Sequence, residues 1–290
     1  MELQILLFGI ALPTVIGLLY PTARRFVGRV RDASTESFLG GALAATLALS
    51  ALSQESPRGF PAQGRWLWFP VAVASCAAVA CAAAPWILAR ARRAALAAAL
   101  MIAAAMCLQV PEWGSAAARL SLGVGAAALA CGVLWFAVHR PGFSTPCALS
   151  LALVSPSMVA MLSGFAKLAV PIGAVSCCLG FASLLSLGTA SRMRGESPAG
   201  STTRTPAENT LGFSGVIVVA ATAALGAATG YGYDTVGVPA PAWLLAGAAP
   251  LGLALGELPL VRSRRALAAA ARIAGCAIAS AAAIVIAALA

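Results

Sequence analysis

The sequence predicts an all-α, polytopic integral membrane protein of about ten transmembrane helices, and three observations carry that expectation. Residues are 61% hydrophobic and 10% charged, with a mean hydropathy of +0.92, whereas soluble domains carry charge on about a quarter of their residues. Apolar runs recur along the 290 residues, at lengths near the roughly 20 that a helix needs to cross about 30 Å of hydrocarbon. The basic residues fall in short clusters between those runs, as in loops that face an anionic leaflet. That patterning makes the lipid bilayer the expected partner of a chain with net charge +10 and argues against nucleic acid.

The elements follow in order. Residues 3–20 form span one, interrupted by Pro13, and the run stops at Pro21 before a loop over 22–37 that carries Arg24, Arg25, Arg29 and Arg31. Its start lacks the basic region of a secretory signal, so the span is expected to be retained. Span two, 38–52, is short for a crossing and must borrow flanking residues. A turn-rich stretch, 53–65, leads to Trp66 and Trp68, which suit an interfacial belt. Span three, 67–89, ends at Arg90-Ala91-Arg92-Arg93. Span four covers 94–110, and Pro111-Glu112-Trp113-Gly114 is a turn before span five, 120–138.

The apolar stretch 146–190 exceeds one crossing and divides into spans six and seven, with the break expected between Gly164 and Pro171. A polar loop over 191–210 follows, then span eight at 211–230 and a turn region at 231–241. Span nine, 242–261, leads through the Arg262-Ser263-Arg264-Arg265 turn into span ten, 266–289.

Alternate loops assign sidedness. Loops after odd-numbered spans hold fourteen of the nineteen basic residues, and the opposite side holds Arg58, Arg65, Arg119 and Lys167. The odd loops are therefore expected in the cytoplasm and both termini outside. Ala- and Arg-rich usage hints at a GC-rich genome and a bacterial cytoplasmic membrane.

A shift of 172 residues lays Glu36, Leu39 and Gly40 on Glu208, Leu211 and Gly212, and Arg90, Arg92 and Arg93 on Arg262, Arg264 and Arg265. The expected organisation is a four-helix unit over 1–110, a connecting pair over 111–167, and a second four-helix unit over 168–290. An offset of six helices is even, so the repeat is parallel. An inverted five-plus-five scheme, with Pro13 and Pro156 in corresponding helices, matches fewer residues.

Few residues can carry chemistry. Glu257 precedes Arg262 by five residues and Arg272 follows Arg265 by seven, so both sit roughly 7 to 10 Å inside the bilayer on adjacent antiparallel helices. Intramembrane charges usually face the interior and find a partner. A solute site or gate is one reading; the plainer ones are a structural ion pair, or an Arg272 that snorkels while Glu257 caps the turn before Pro259. Ser155-Pro156-Ser157 is a second candidate, because a proline inside a span frees a backbone carbonyl that can line a polar path, although most such prolines only bend a helix. Thr229-Gly230-Tyr231-Gly232-Tyr233-Asp234 lacks the valine and short pore helix of a carbonyl-lined ion filter, and its tyrosines fit an interfacial belt better.

Eight cysteines lie mostly inside apolar runs, none at CxxC spacing, and the chain has one histidine. Zinc, haem and iron–sulfur ligand sets are missing, so no cofactor is expected. HExxH and GxSxG are absent and no Asp lies inside a span, so enzyme activity is not expected either. The expected function is a permease for a small neutral or weakly polar solute, with Pro13, Pro156, Glu257 and Arg272 near the path or gate. The alternative is a non-transporting membrane scaffold or assembly component that binds another protein.

Overall fold

The computed structural model describes residues 5–27, 32–54, 68–87, 116–138, 143–196 and 211–290. Among them the chain is all-helical, with no strand. Expected span four and the arginine turn at 90–93 lie outside the described residues.

A π-helical stretch, Ile5–Ala11, precedes α1, Leu12–Val27. Then come α2, Asp32–Gln54, α3, Trp68–Ile87, and α4, Ala116–Val138. The next pair is α5, Ser144–Leu162, and α6, Ala166–Glu196. After them, α7 covers Gly212–Gly232 and α8 covers Ala240–Ala248. A 3-10 segment, Ala249–Glu257, and the single turn α9, Pro259–Arg262, lead to α10, Arg265–Ala288. Among the described residues, four stretches are long and apolar enough to cross a membrane: Ser144–Leu162, Ala166–Leu184, Ser214–Gly232 and Arg265–Ala288. Shorter apolar stretches, Gly9–Leu19, Leu39–Gln54, Phe69–Ala78 and Gly123–Ala137, accompany them.

The centre of the described bundle is α7. Every residue from 214 to 227 is buried, as expected for a helix that is apolar on all sides. Helices α2, α3, α4 and α8 pack around it. The outer helices sort their side chains by size. In α10 the buried positions are Ala268, Arg272, Gly275, Cys276, Ser280, Ala283 and Ala287, whereas Leu267, Ile278 and Val285 are exposed. Small residues inward and bulky aliphatics outward is the arrangement that close helix packing in lipid favours. Likewise α4 exposes Leu120, Val124 and Trp135.

Antiparallel α5 and α6 are joined by a turn at Ser163-Gly164-Phe165, where Gly164 has φ +77°, a conformation open to glycine without strain. The two helices are bolted by serines. Ser150 Oγ donates to the Ser176 carbonyl at 2.8 Å, Ser176 Oγ returns a bond to the Ser150 carbonyl at 2.7 Å, and Ser157 Oγ donates to the Ala169 carbonyl at 2.8 Å. Ser280 Oγ ties α10 to the Leu151 carbonyl of α5 at 3.1 Å.

Several boundaries differ from the sequence expectation. The loop expected over 22–37 is helical up to Val27 and again from Asp32. This lengthens the second helix to 23 residues, although its apolar part, Leu39–Gln54, stays short for a crossing. The α5–α6 break is confined to three residues, and Pro171 lies inside α6. Helix α6 also continues to Glu196, into the expected polar loop. Span nine is not one continuous α-helix, since its second half tightens into a 3-10 coil that starts beside Pro250.

Candidate functional site

The 3-10 segment is the element that builds the site. Proline at 250 has no N–H for an i→i−4 bond, and the tighter i→i+3 pattern takes over for nine residues. The run is long for 3-10 geometry, which rarely exceeds about four residues. Glycines let it lie directly on α10. A methyl on Gly252 would overlap the Gly275 backbone, and a methyl on Gly256 would overlap both Cγ and Nε of Arg272. The segment ends at Leu258, whose extended conformation (φ −58°, ψ 137°) breaks the coil before Pro259.

Glu257, its last residue, meets Arg272. The Nη2 group of Arg272 donates to Glu257 Oε1 at 3.0 Å, with the arginine side chain 9% exposed and the glutamate 20%. Nη1 of Arg272 lies 3.4 Å from Ser144 Oγ in the first turn of α5, a long contact. Its Nε is buried with no hydrogen-bond partner, and so is Thr145 Oγ1 beside Ser144. The guanidinium is therefore paired along one contact and under-satisfied elsewhere. An unpaired buried donor of this kind costs about 1–3 kcal/mol.

The position along the bundle is set by two contacts. Ser144 against Arg272 places the start of α5 beside the start of α10. At the other end of α5, a methyl on Gly164 would touch Thr235 and Val236 of the α7–α8 loop. That loop is organised by Asp234, whose Oδ1 accepts from the Val236 and Gly237 amides at 2.9 and 3.1 Å. Phe165 and Tyr233 meet there in a tilted ring contact, with centroids 5.7 Å apart and planes at 41°. The ion pair thus lies at the same end as the exposed Arg262, Arg264 and Arg265.

Pro156 is buried inside α5. Its missing N–H leaves the Ala152 carbonyl without an intrahelical donor, and Ser155 Oγ takes that carbonyl at 2.8 Å, with the Ala246 carbonyl a further 3.4 Å contact. The acceptor freed by the proline is occupied by a neighbouring hydroxyl. Twelve residues separate Pro156 from Ser144, about 18 Å of helix, so Pro156 is not part of the ion-pair cluster. Pro13 is buried near the start of α1, just after the π-helical stretch, and one turn later Gly17 packs on the Cys178 carbonyl of α6. Of the four residues singled out from the sequence, only Glu257 and Arg272 come together.

Sequence reasoning missed Ser144 and the glycines beneath Arg272. Gly252-Leu253-Ala254-Leu255-Gly256 is a GxxxG pattern, the signal of a close helix crossing, and it marks this face. Nothing in the sequence marks Ser144, which lies 128 residues from Arg272.

What fold and site define together, among the described residues, is an all-helical architecture in which four long apolar helices fit a membrane-embedded protein. No protein-family model, curated protein or solved structure matches it.

Proposed function

We propose that the chain is a permease of the bacterial cytoplasmic membrane for a small neutral or weakly polar solute, gated where Glu257 meets Arg272. The supporting observation is a nine-tenths-buried arginine, paired through one contact, at the end of a nine-residue 3-10 segment. An ion pair in a low-dielectric site gains little net stability over apolar packing, because desolvation offsets the Coulombic attraction. Its place beside a backbone that has left α geometry is the arrangement of a hinge with a latch. Opening would lift the 3-10 segment from α10 and split the pair.

The scaffold reading rests on a different observation. The core around α7 is close-packed, with residues 214–227 buried without interruption, and a protein that only binds a partner needs no aqueous path.

Cysteine accessibility in membranes separates the two. Single cysteines at positions 13, 156, 257 and 272, on a cysteine-depleted background, are probed from each side with a membrane-impermeant thiol reagent. A permease labels at 257 or 272 from the arginine-rich side, more strongly when solute is present. If all four positions stay unreactive while surface controls label, the interior is dry and the scaffold reading replaces the permease.

A further inference from the structure

The turn between the 3-10 segment and α10 reads Leu258-Pro259-Leu260-Val261-Arg262-Ser263-Arg264-Arg265, and no residue of its short helix α9 is buried. Leu260 is 89% exposed, and Leu258 and Leu267 on either side of it are exposed as well. Arg262, Arg264 and Arg265 are exposed too, and among the described residues none of the three side chains has a hydrogen bond or ion pair. No acid lies in residues 258–290 to neutralise them, and Glu257 is engaged by Arg272. The backbone of the turn is nevertheless tied. The Val261 and Arg262 amides donate to the Leu258 carbonyl at 3.0 and 2.9 Å, and the Arg264 amide donates to the Val261 carbonyl at 3.0 Å.

From this we infer that the turn over 258–267 is a binding surface for anionic phospholipid, with lipid phosphates on Arg262, Arg264 and Arg265 and the leucines among the upper acyl chains. The argument is one of medium. Hydrocarbon suits Leu260 but not three arginines within four residues. Water suits the arginines and leaves three exposed leucines of the same turn with nothing to cover them. At the boundary of headgroups and acyl chains both kinds of side chain are met. Charge then selects the lipid. A zwitterionic headgroup brings its own cation to each phosphate, whereas three cations without an acid are complemented by a lipid of net negative charge. Arginine suits the task, because its planar fork can take a phosphate through two parallel hydrogen bonds. Three solvated arginines in a loop are the plainer reading, which accounts for the charges and not for the leucines set among them. This surface lies outside the proposed gate and stands whether or not the chain moves a solute.

The test places full-length protein, cysteine-depleted and carrying a fluorophore on Leu260→Cys, in nanodiscs of phosphatidylcholine with a minority of phosphatidylglycerol. A nitroxide near the headgroup end of the acyl chain is carried either by the phosphatidylglycerol or by an equal amount of the phosphatidylcholine. Quenching should be stronger from the anionic lipid, with a local enrichment of about fivefold, the factor that one basic residue near an anionic surface contributes. A fluorophore on Ile278→Cys, on the exposed face further along α10, should be quenched equally by the two lipids. Arg262→Gln, Arg264→Gln and Arg265→Gln together should abolish the preference at 260, and Lys at the same three positions should keep most of it. Raised salt should weaken it.

Equal quenching at 260 by the two labelled lipids overturns the anionic-lipid surface. So does a preference that survives the triple Gln variant, or one that is as large at 278 as at 260. If neither lipid quenches at 260, the turn lies in water, and its arginines then fit an acidic protein surface in place of a lipid.

Discussion

Ser155 and Pro156 form a unit in which one residue repairs what its neighbour breaks. The proline removes the amide that would bond the Ala152 carbonyl, and the serine hydroxyl takes that acceptor at 2.8 Å in a fully buried setting. Ser155→Ala should therefore cost about 1–3 kcal/mol, the usual penalty for a buried acceptor left without a donor. The same substitution in a Pro156→Ala background, where the amide is restored, should cost far less. A double-mutant cycle on unfolding in micelles reads this coupling, and equal costs in the two backgrounds would remove the explanation. The pairing of Glu257 with Arg272 was legible in the sequence because each sits a fixed number of helical residues from the same arginine turn. The Ser144 contact was not, since it depends on how α5 packs against α10 across 128 residues of chain.

At the scale of elements, what the sequence disclosed depended on whether a boundary was marked by chemistry or by geometry. Gly164 marked the α5–α6 turn, and the arginines marked the start of α10. The start of α2 was read as loop because Asp32-Ala33-Ser34-Thr35-Glu36-Ser37 is polar, yet acids and small hydroxyl residues are what a helix N-terminus favours. The 3-10 segment was invisible for another reason. A run of Ala, Leu and Gly is equally apolar in either coil; Pro250 marks only where the α pattern is interrupted, and close packing on α10 accompanies the tighter coil that follows. Helix α10 makes a test of what surrounds the bundle. Ile278 is 66% exposed on the face opposite the buried small residues. In water, Ile278→Arg at such a site would be nearly neutral. Within lipid, an arginine near the middle of a span costs about 3 kcal/mol on insertion scales. The expected outcome is reduced recovery of the variant in alkali-washed membranes, with Arg265→Lys at the helix start unaffected. Equal recovery of both would mean that this face does not meet hydrocarbon.

For the whole molecule, the described contacts fix which ends of the helices lie together. Ser144 beside Arg272 gathers the starts of α5 and α10 at one end, and Gly164 beside Thr235 gathers the α5–α6 and α7–α8 connections at the other. This is the alternation that the distribution of arginines implies, with Arg262, Arg264 and Arg265 at the first end and Lys167, exposed at the start of α6, at the second. Charge supplies the direction that geometry lacks, because loops rich in Lys and Arg are retained on the cytoplasmic side. Two positions therefore discriminate. A cysteine replacing Arg264, on a cysteine-depleted background, should react with an impermeant thiol reagent only after spheroplasts are opened, and one replacing Thr235 should react in intact spheroplasts. Adding three lysines to the α7–α8 loop should weaken that asymmetry or divide the population between two orientations. If Arg264→Cys labels from outside and Thr235→Cys only after lysis, the bundle is inserted the other way up. The Glu257–Arg272 pair would then lie at the outer face of the membrane.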